Sequence, residues 1–337
     1  MHQRLDFVIR KLAFSLITLI AVLCFNFFLF RIIPGDPVSM VLSPRMKPST
    51  RERIREVYGL DKPVWLNISK ARATGDIKDA FDSQFFNYVR NLTHGELGES
   101  FRQRRPVAEL IKARLGPTVL LIATGEIAGI LFGTFLGLIA AWKKRSFVDA
   151  ASMFVGLSIW ALPAFWLGII LMIMARGHLP MGGFITPGTI YPNLWGKLVD
   201  IGKHLILPAL TLGLMMFGAY MLLVRNTTLE VLAEDYILTA RAKGLTYLQI
   251  LKDHALKNAS LPLVTLIALD LGYALGGTIQ IETIFSWPGI GRLMFDSIGQ
   301  RDYPVLQGVF LILAIGVIGA NFLADLAYVI LDPRVKA

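Results

Sequence analysis

Apolar residues gather in six long blocks, near residues 12–31, 117–141, 151–175, 205–224, 261–284 and 305–330, separated by polar segments. A helix needs about 20 predominantly apolar residues to cross the hydrocarbon core of a bilayer. The blocks are of that order, so the pattern predicts six transmembrane helices and an all-α polytopic membrane protein. Arg4, Arg10 and Lys11 precede the first block, as they would in a signal peptide. Its apolar run is too long for one, however, and Arg31-Ile32-Ile33-Pro34 replaces a small-residue cleavage site. The first block is expected to remain as an anchor.

Short loops rich in Lys and Arg stay in the cytoplasm. Lys143, Lys144 and Arg145 lie between blocks two and three, and Arg241, Lys243, Lys252 and Lys257 between four and five. With Arg4, Arg10 and Lys11 at one end and Arg334 and Lys336 at the other, all four segments share one side. Both termini are therefore expected in the cytoplasm. The long loop from about 32 to 116 falls outside, and loops of that length escape the charge rule. The layout is an N-terminal segment and first helix over 1–31, an extracytoplasmic helical loop over 32–116, a core of five helices over 117–330 with a cytoplasmic loop at 226–260, and a cytoplasmic tail at 331–337. In the external loop, Thr50–Tyr58 and Phe85–Leu92 have helical composition, and the stretch from Val64 to Asp82 reads as a solvated surface elaboration.

Composition agrees with the membrane reading: 54% of residues are hydrophobic and the mean hydropathy is +0.57. The formal charge of +10 is spread along membrane-flanking loops, which argues against nucleic acid as a partner. Cys24, the single cysteine, lies in the first block and excludes a disulfide framework and a cysteine metal site. The five histidines show no ligand spacing, and no P-loop sequence is present. No catalytic, cofactor-binding or metal-binding residue is expected in this chain.

The polar segment between blocks four and five, Glu234–Pro262, is the most informative. Leu229, Leu232, Ala233, Tyr236 and Ala240 fall at helical spacing and predict one apolar stripe. Gly244 stands where that helix should end, since glycine enters the left-handed conformation without steric cost. Thr246 and Gln249 then form a capping box that opens a second helix. This arrangement resembles the coupling loop of bacterial ABC-importer permeases, read as EAA, three residues, then Gly. Leu238, Thr239 and Ala240 occupy the EAA places and Gly244 the glycine place. The strict form ends in Ile-x-Leu-Pro, where this chain has His254, Ala255, Leu256 and Lys257, with its proline later at Pro262. Both departures are typical of the dipeptide/oligopeptide branch, with its TARAKG core followed by HAL and a basic residue.

Other phrases carry the same resemblance: PGDP at Pro34–Pro37, YGLDKP at Tyr58–Pro63, HGELGESF at His94–Phe101, RRPV at Arg104–Val107, and LDPR at Leu331–Arg334. ETIFSWPG from Glu282, with RDYP from Arg301, is the most specific. Phe285 and Trp287 suit an interface belt, and Pro288-Gly289 a tight turn before an amphipathic helix. That helix could lie at the outer mouth of a path, with Glu282, Trp287, Pro288 and Gly289 as its candidates, or could anchor the ends of two spans. The resemblance covers roughly residues 5–335 and is to the B-type subunit of the peptide permeases.

It implies a type I importer permease fold in the bacterial cytoplasmic (inner) membrane. It also implies a sister permease as heterodimer partner, two ABC ATPase subunits that bind ATP and Mg, and an extracytoplasmic substrate-binding protein. The ATPase-coupling candidates are then Tyr236, Thr239, Ala240, Arg241, Ala242, Lys243, Gly244 and Leu245, with Ala240 allowing close approach of the ATPase. The implied cargo is a di- or oligopeptide, and the alternatives are nickel chelates, glutathione or oligosaccharides.

Charges inside the blocks give further candidates, because a carboxylate at mid-helix costs about 2.5–3.5 kcal/mol on insertion scales. Glu126, Asp270 and Asp325 must face protein or water. Glu126 and Asp270 are candidates for the translocation path, and for Asp270 a hydrogen bond between helices is the competing reading. Asp325 reads as structural. Gly125, Gly129, Gly133 and Gly137 form a small-residue stripe that allows close helix contact, either within this chain or with a sister subunit. A multi-pass membrane enzyme would need paired catalytic groups, for which Asp270 and Asp325 have no supporting motif. An ion-driven transporter would be expected to show inverted repeats, which are not apparent.

Overall fold

The computed structural model describes residues 2–32 and 61–331, with Ser49 and Glu52. The predicted helix at Thr50–Tyr58 and the PGDP and LDPR phrases lie wholly or mostly outside the described residues. The elements are helical: α1 (His2–Ile32), α2 (Ile68–Thr74), α3 (Gln84–Thr93), α4 (Val107–Trp142), α5 (Phe147–Trp160) and α6 (Ala164–Met174). They continue with α7 (Leu194–Leu232), α8 (Asp235–Ala242), α9 (Tyr247–Ile250), a π-helical stretch at Leu251–Leu256, α10 (Lys257–Ile284), α11 (Ile290–Gln300) and α12 (Tyr303–Leu331).

Among the described residues, four helices are long and apolar enough to cross a membrane: α1, α4, α7 and α12. The third predicted block is not one straight span. It is divided into α5 and α6, which meet at 108°. Pro163 is the cause: it lacks the N–H that a continuing helix would use, and it disfavours a helical backbone at Leu162. The pair can count as a fifth span. The fifth predicted block lies within α10. The fourth block lies within α7, whose 39 residues extend about 58 Å, nearly twice the hydrocarbon thickness.

The chain forms two compact units. The larger holds Leu115–Arg292 with the start of α1 and the end of α12. Within it α4 and α7 are in close contact, made possible by the glycine stripe. A Cβ on Gly125 would lie 2.6 Å from the Leu212 side chain, and one on Gly133 2.5 Å from Tyr220 Cβ. Gly129 and Gly137 abut the backbone of α7 at Gly213 and Met221. The stripe therefore faces the chain's own α7, which its spacing alone left open. Lys11 pairs with Asp325 at 2.7 Å, which gives that membrane carboxylate a structural partner. On α1, Phe14 and Ile17 are about 60% exposed, as residues solvated by lipid would be.

The smaller unit holds Leu19–Arg114 with Leu293–Ala314. Aromatic rings knit it together: Phe28 lies 4.2 Å from Trp65, and Phe27 5.3 Å from Phe85. The stretch from Val64 to Asp82 is an ordered part of it. Asp82 accepts bonds from Lys62 at 2.6 Å and Lys70 at 2.7 Å, and these ammonium groups hold its carboxyl down at about 2.

Candidate functional site

The polar segment after α7 folds as an elbow with two apolar sides. α7 ends at Leu232 and the chain restarts as α8 at Asp235, so the predicted stripe through Leu229, Leu232, Ala233, Tyr236 and Ala240 is interrupted. The residues that turn inward are Val231, Ile237, Ala240, Ile250 and Leu251, packed with Leu138, Leu232 and Leu245. Ala240 is 6% exposed and seats α8 on the chain's own floor, so it offers no surface for a partner's approach.

The end of α8 is set by Gly244, at φ +81°. Its N–H bonds to Arg241 O at 2.9 Å, and the Leu245 N–H bonds to Ala240 O at 3.2 Å. Those two bonds, with Leu245 packed beside Ala240, make a Schellman cap. Thr246 and Gln249 then bond reciprocally: Thr246 N–H to Gln249 Oε1 at 2.8 Å, and Gln249 N–H to Thr246 Oγ1 at 3.4 Å. Asn258 reaches back from α10 to the Tyr236 hydroxyl at 3.2 Å, joining the two ends of the segment. On the outer side, Tyr236, Leu238 and Leu248 are 42%, 64% and 61% exposed. Thr239, Arg241, Ala242, Lys243 and Gly244 are exposed beside them. The π-helical stretch that follows carries no local marker in its residues LKDHAL.

A bidentate pair braces this end of α7. Arg225 donates through Nε to Asp149 Oδ1 at 2.6 Å and through Nη2 to Oδ2 at 2.9 Å, and the Arg145 N–H donates to the same carboxylate. Neither residue stands out in sequence, because each is one charge among many at a membrane edge. Arg225→Lys replaces the planar fork with a point charge and is expected to lower stability by about 1–3 kcal/mol. The measurement is the thermal midpoint of the purified protein in detergent. An unchanged midpoint would remove the fork from the supporting frame.

Within the helices, Glu126 and Asp270 come together on one phenol. Tyr220 is fully buried and its hydroxyl donates to Glu126 Oε2 at 2.9 Å, with Asp270 also in its reach. Glu126 Oε1 and Asp270 Oδ2 are buried without a hydrogen-bond partner. Both carboxylates face protein, as the cost of exposing them to lipid requires. Tyr220 is the member that the sequence did not reveal, since a lone tyrosine in an apolar block reads as core.

The ETIFSWPG stretch is an internal bolt. Glu282, Phe285 and Trp287 are fully buried, so the interface belt expected for the two rings is not formed. Glu282 accepts from Thr118 Oγ1 at 2.7 Å and from the Arg292 N–H at 2.9 Å. The Trp287 indole donates to Pro117 O at 2.9 Å, and the Ile290 N–H to Thr118 Oγ1 at 2.8 Å. Gly289 is buried against the Glu282 carboxylate, while Pro288 is half-buried. The amphipathic helix expected after this turn is α11. In the smaller unit, Asp302 plays a similar part. It accepts from Ser100 Oγ at 2.5 Å and from the backbone N–H groups of Phe101 and Arg102, joining the RDYP and HGELGESF phrases.

Two family models match this chain. One, described as the inner membrane component of binding-protein-dependent transport systems, covers residues 133–337, and the N-terminal region of the same component covers residues 4–122. The chain belongs to this transport family. It is similar to the dipeptide transport system permease protein of Escherichia coli, 35% identical over 98% of this chain and 99% of that one. It is also similar to the di/tripeptide transport system permease protein of Pseudomonas aeruginosa, at 36% identity with the same coverage, and to the glutathione transport system permease protein of Escherichia coli, at 34%. Among solved structures, the inward-facing methionine ABC transporter MetNI matches with a TM-score of 0.51 at 18% identity, over 66% of this chain and 96% of that one. That likeness shows an ABC-transporter permease fold. The chain is thus a multi-pass transport subunit and not an enzyme. Membership of the family implies work alongside ATPases and a binding protein.

Proposed function

We propose that this chain is the B-type permease of a heterodimeric, ATP-driven importer in the bacterial inner membrane, and that its cargo is a di- or oligopeptide. Full-length similarity to dipeptide permeases carries the reading. On this reading six helices cross the bilayer with both termini in the cytoplasm, and α10 supplies a span beside those long enough by composition. A C-type sister completes the path. ATP and Mg bind to the partner ATPases, and no cofactor binds here.

The elbow after α7 is the coupling surface. An amphipathic helix enters a groove through its exposed side, and here that side carries Tyr236, Leu238, Thr239, Arg241, Ala242 and Lys243. Ala240, Leu245 and Gly244 act from behind it, the first two by packing and the last by fixing the bend. Force applied to α8 passes into α7 through the shared cluster of Val231, Ile237 and Ile250. It reaches the Glu126–Tyr220–Asp270 group further along α7, which lies at membrane depth where a path would run. Glu282, Trp287, Pro288 and Gly289 hold the segment that follows α10, and so belong to the frame of the path.

Similarity to a glutathione permease keeps glutathione as the second reading of the cargo. The test is reconstitution in liposomes with the sister permease, ATPases and binding protein, measuring ATP-dependent uptake of labelled dialanine and labelled glutathione. Saturable dialanine uptake is expected. Uptake of glutathione alone would transfer the assignment to the second cargo, and no uptake of either would overturn both.

A further inference from the structure

The smaller unit contains a cavity of about 160 Å³ that the coupling and path residues do not explain. A cavity of about 150 Å³ accommodates one benzene molecule, so a small organic group fits here. One wall is a face of α3. Gln84, Asn87, Tyr88 and Asn91 fall at i, i+3, i+4 and i+7, the positions that an amphipathic helix usually gives to apolar residues. Here that stripe is polar and lines a hollow.

The charge is equally specific. Arg31, at the end of α1, is the sole cation among the described lining residues. Its Nε is buried without a hydrogen-bond partner, and its guanidinium lies over the Phe27 ring at 5.2 Å. No ion pair of Arg31 occurs among the described residues. The Tyr88 hydroxyl is buried in the same lining, with the Gln307 and Asn26 side chains in its hydrogen-bonding reach. A guanidinium can only donate, and a buried donor left unpaired is destabilising. The group that Arg31 Nε lacks is an acceptor. A carboxylate suits Arg31 best, because its two oxygens match the planar fork of a guanidinium. Glu96 and Glu99 also line the cavity and are exposed, so they stand at its solvent side. A cationic group would be favoured there.

We propose that this cavity binds the free carboxylate end of a short peptide, with Arg31 taking the carboxylate and Glu96 and Glu99 favouring a cationic amino group at the mouth. The choice of ligand rests on the peptide reading given above. The site itself, outside the permease core and on the unit that contains the long loop after α1, is an addition to that reading. It would give the permease its own check on the peptide terminus, separate from the binding protein.

The experiment measures binding of labelled dialanine to the full chain in nanodiscs, with competition by unlabelled dialanine, dialanine amide and acetate. The amide keeps the ammonium and loses the carboxylate. Dialanine should bind saturably and the amide at least about tenfold more weakly, a difference of about 1.4 kcal/mol. In Arg31→Gln the acid and amide should become equivalent, whereas Arg31→Lys should keep part of the preference. Should Arg31→Gln fail to fold, the acid–amide comparison on the unaltered protein decides alone. Equal binding of acid and amide, or no saturable binding, would overturn the site. Competition by acetate as strong as that of dialanine would show a simple anion site and overturn the peptide assignment. Dialanine uptake by the reconstituted importer separates the two levels. Uptake without any acid preference in nanodiscs leaves the peptide importer standing and removes this site, whereas absent uptake removes the peptide reading.

Discussion

Gly244→Asp is expected to leave the protein inserted in the membrane and to abolish most of its transport. The residue sits at φ +81°, where a side chain costs about 1–2 kcal/mol, and open space around it means that the cost is conformational and not a clash. That strain falls on the two hydrogen bonds that close α8, from Gly244 to Arg241 O and from Leu245 to Ala240 O. Losing the cap frees Leu245 from its packing and lets α8 tilt on the Val231–Ile237–Ile250 floor. A tilted α8 presents Tyr236 and Leu238 at the wrong angle to a groove in an ATPase. A shift of about 1 Å in a constellation of this kind can cost about a hundredfold in rate. Reconstituted importer carrying Gly244→Asp should therefore hydrolyse ATP without a matching gain in dipeptide uptake. Normal uptake would remove the elbow from the coupling path. Gly244→Ala, which meets the same backbone restriction, should show the same defect.

Much of this molecule could be read from its sequence, and the failures have specific causes. Gly244 and the Thr246–Gln249 box were legible because a cap is a local device, built from residues within six positions of one another. The inward face of α8 was not. The helical phase does not continue across Ala233 and Glu234, where the backbone breaks, so Tyr236 faces outward and Ile237 takes the inward place. The division of the third block turns on Pro163, a residue that a hydropathy window averages away. The glycine stripe on α4 showed that a close neighbour exists, and only the three-dimensional packing showed that the neighbour is α7. Trp287 looked like an interface residue because aromatic rings near a span end usually are. Its burial depends on Pro117 and Thr118, about 170 positions earlier, which supply acceptor and donor to the same turn. Glu126 and Asp270 were legible as charges with no right to face lipid, yet their meeting at Tyr220 joins three helices whose register no spacing rule connects.

The turn around Glu282 should be the most stability-sensitive point of the larger unit. Its carboxylate collects the Thr118 hydroxyl and the Arg292 N–H from opposite sides, and Thr118 in turn accepts from the Ile290 N–H. Glu282→Ala takes the acceptor from the buried Thr118 hydroxyl, at about 1–3 kcal/mol, and removes the bond from the part-buried Arg292 N–H, before any cost of the space vacated. Glu282→Gln keeps one acceptor oxygen but turns an NH₂ toward a donor, and should fall between Ala and the original residue. Gly289 reports on the same contact from the other side. A Cβ there would stand 2.1 Å from Glu282 Oε1, so Gly289→Ala must push the carboxylate off its partners. The Glu282 side chain can give way only by losing those bonds, and at Gly291 a Cβ would meet Ile279 Cα at 2.7 Å, where the backbone cannot yield cheaply. Thermal unfolding of the purified chain should place Glu282→Ala and Gly289→Ala well below the unaltered protein. The double variant should be less destabilised than the sum of the two, because both changes remove one interaction. Full additivity would mean that the glycine and the carboxylate act independently, and an unaltered melting profile for Glu282→Ala would show that the turn is held by its apolar rings alone.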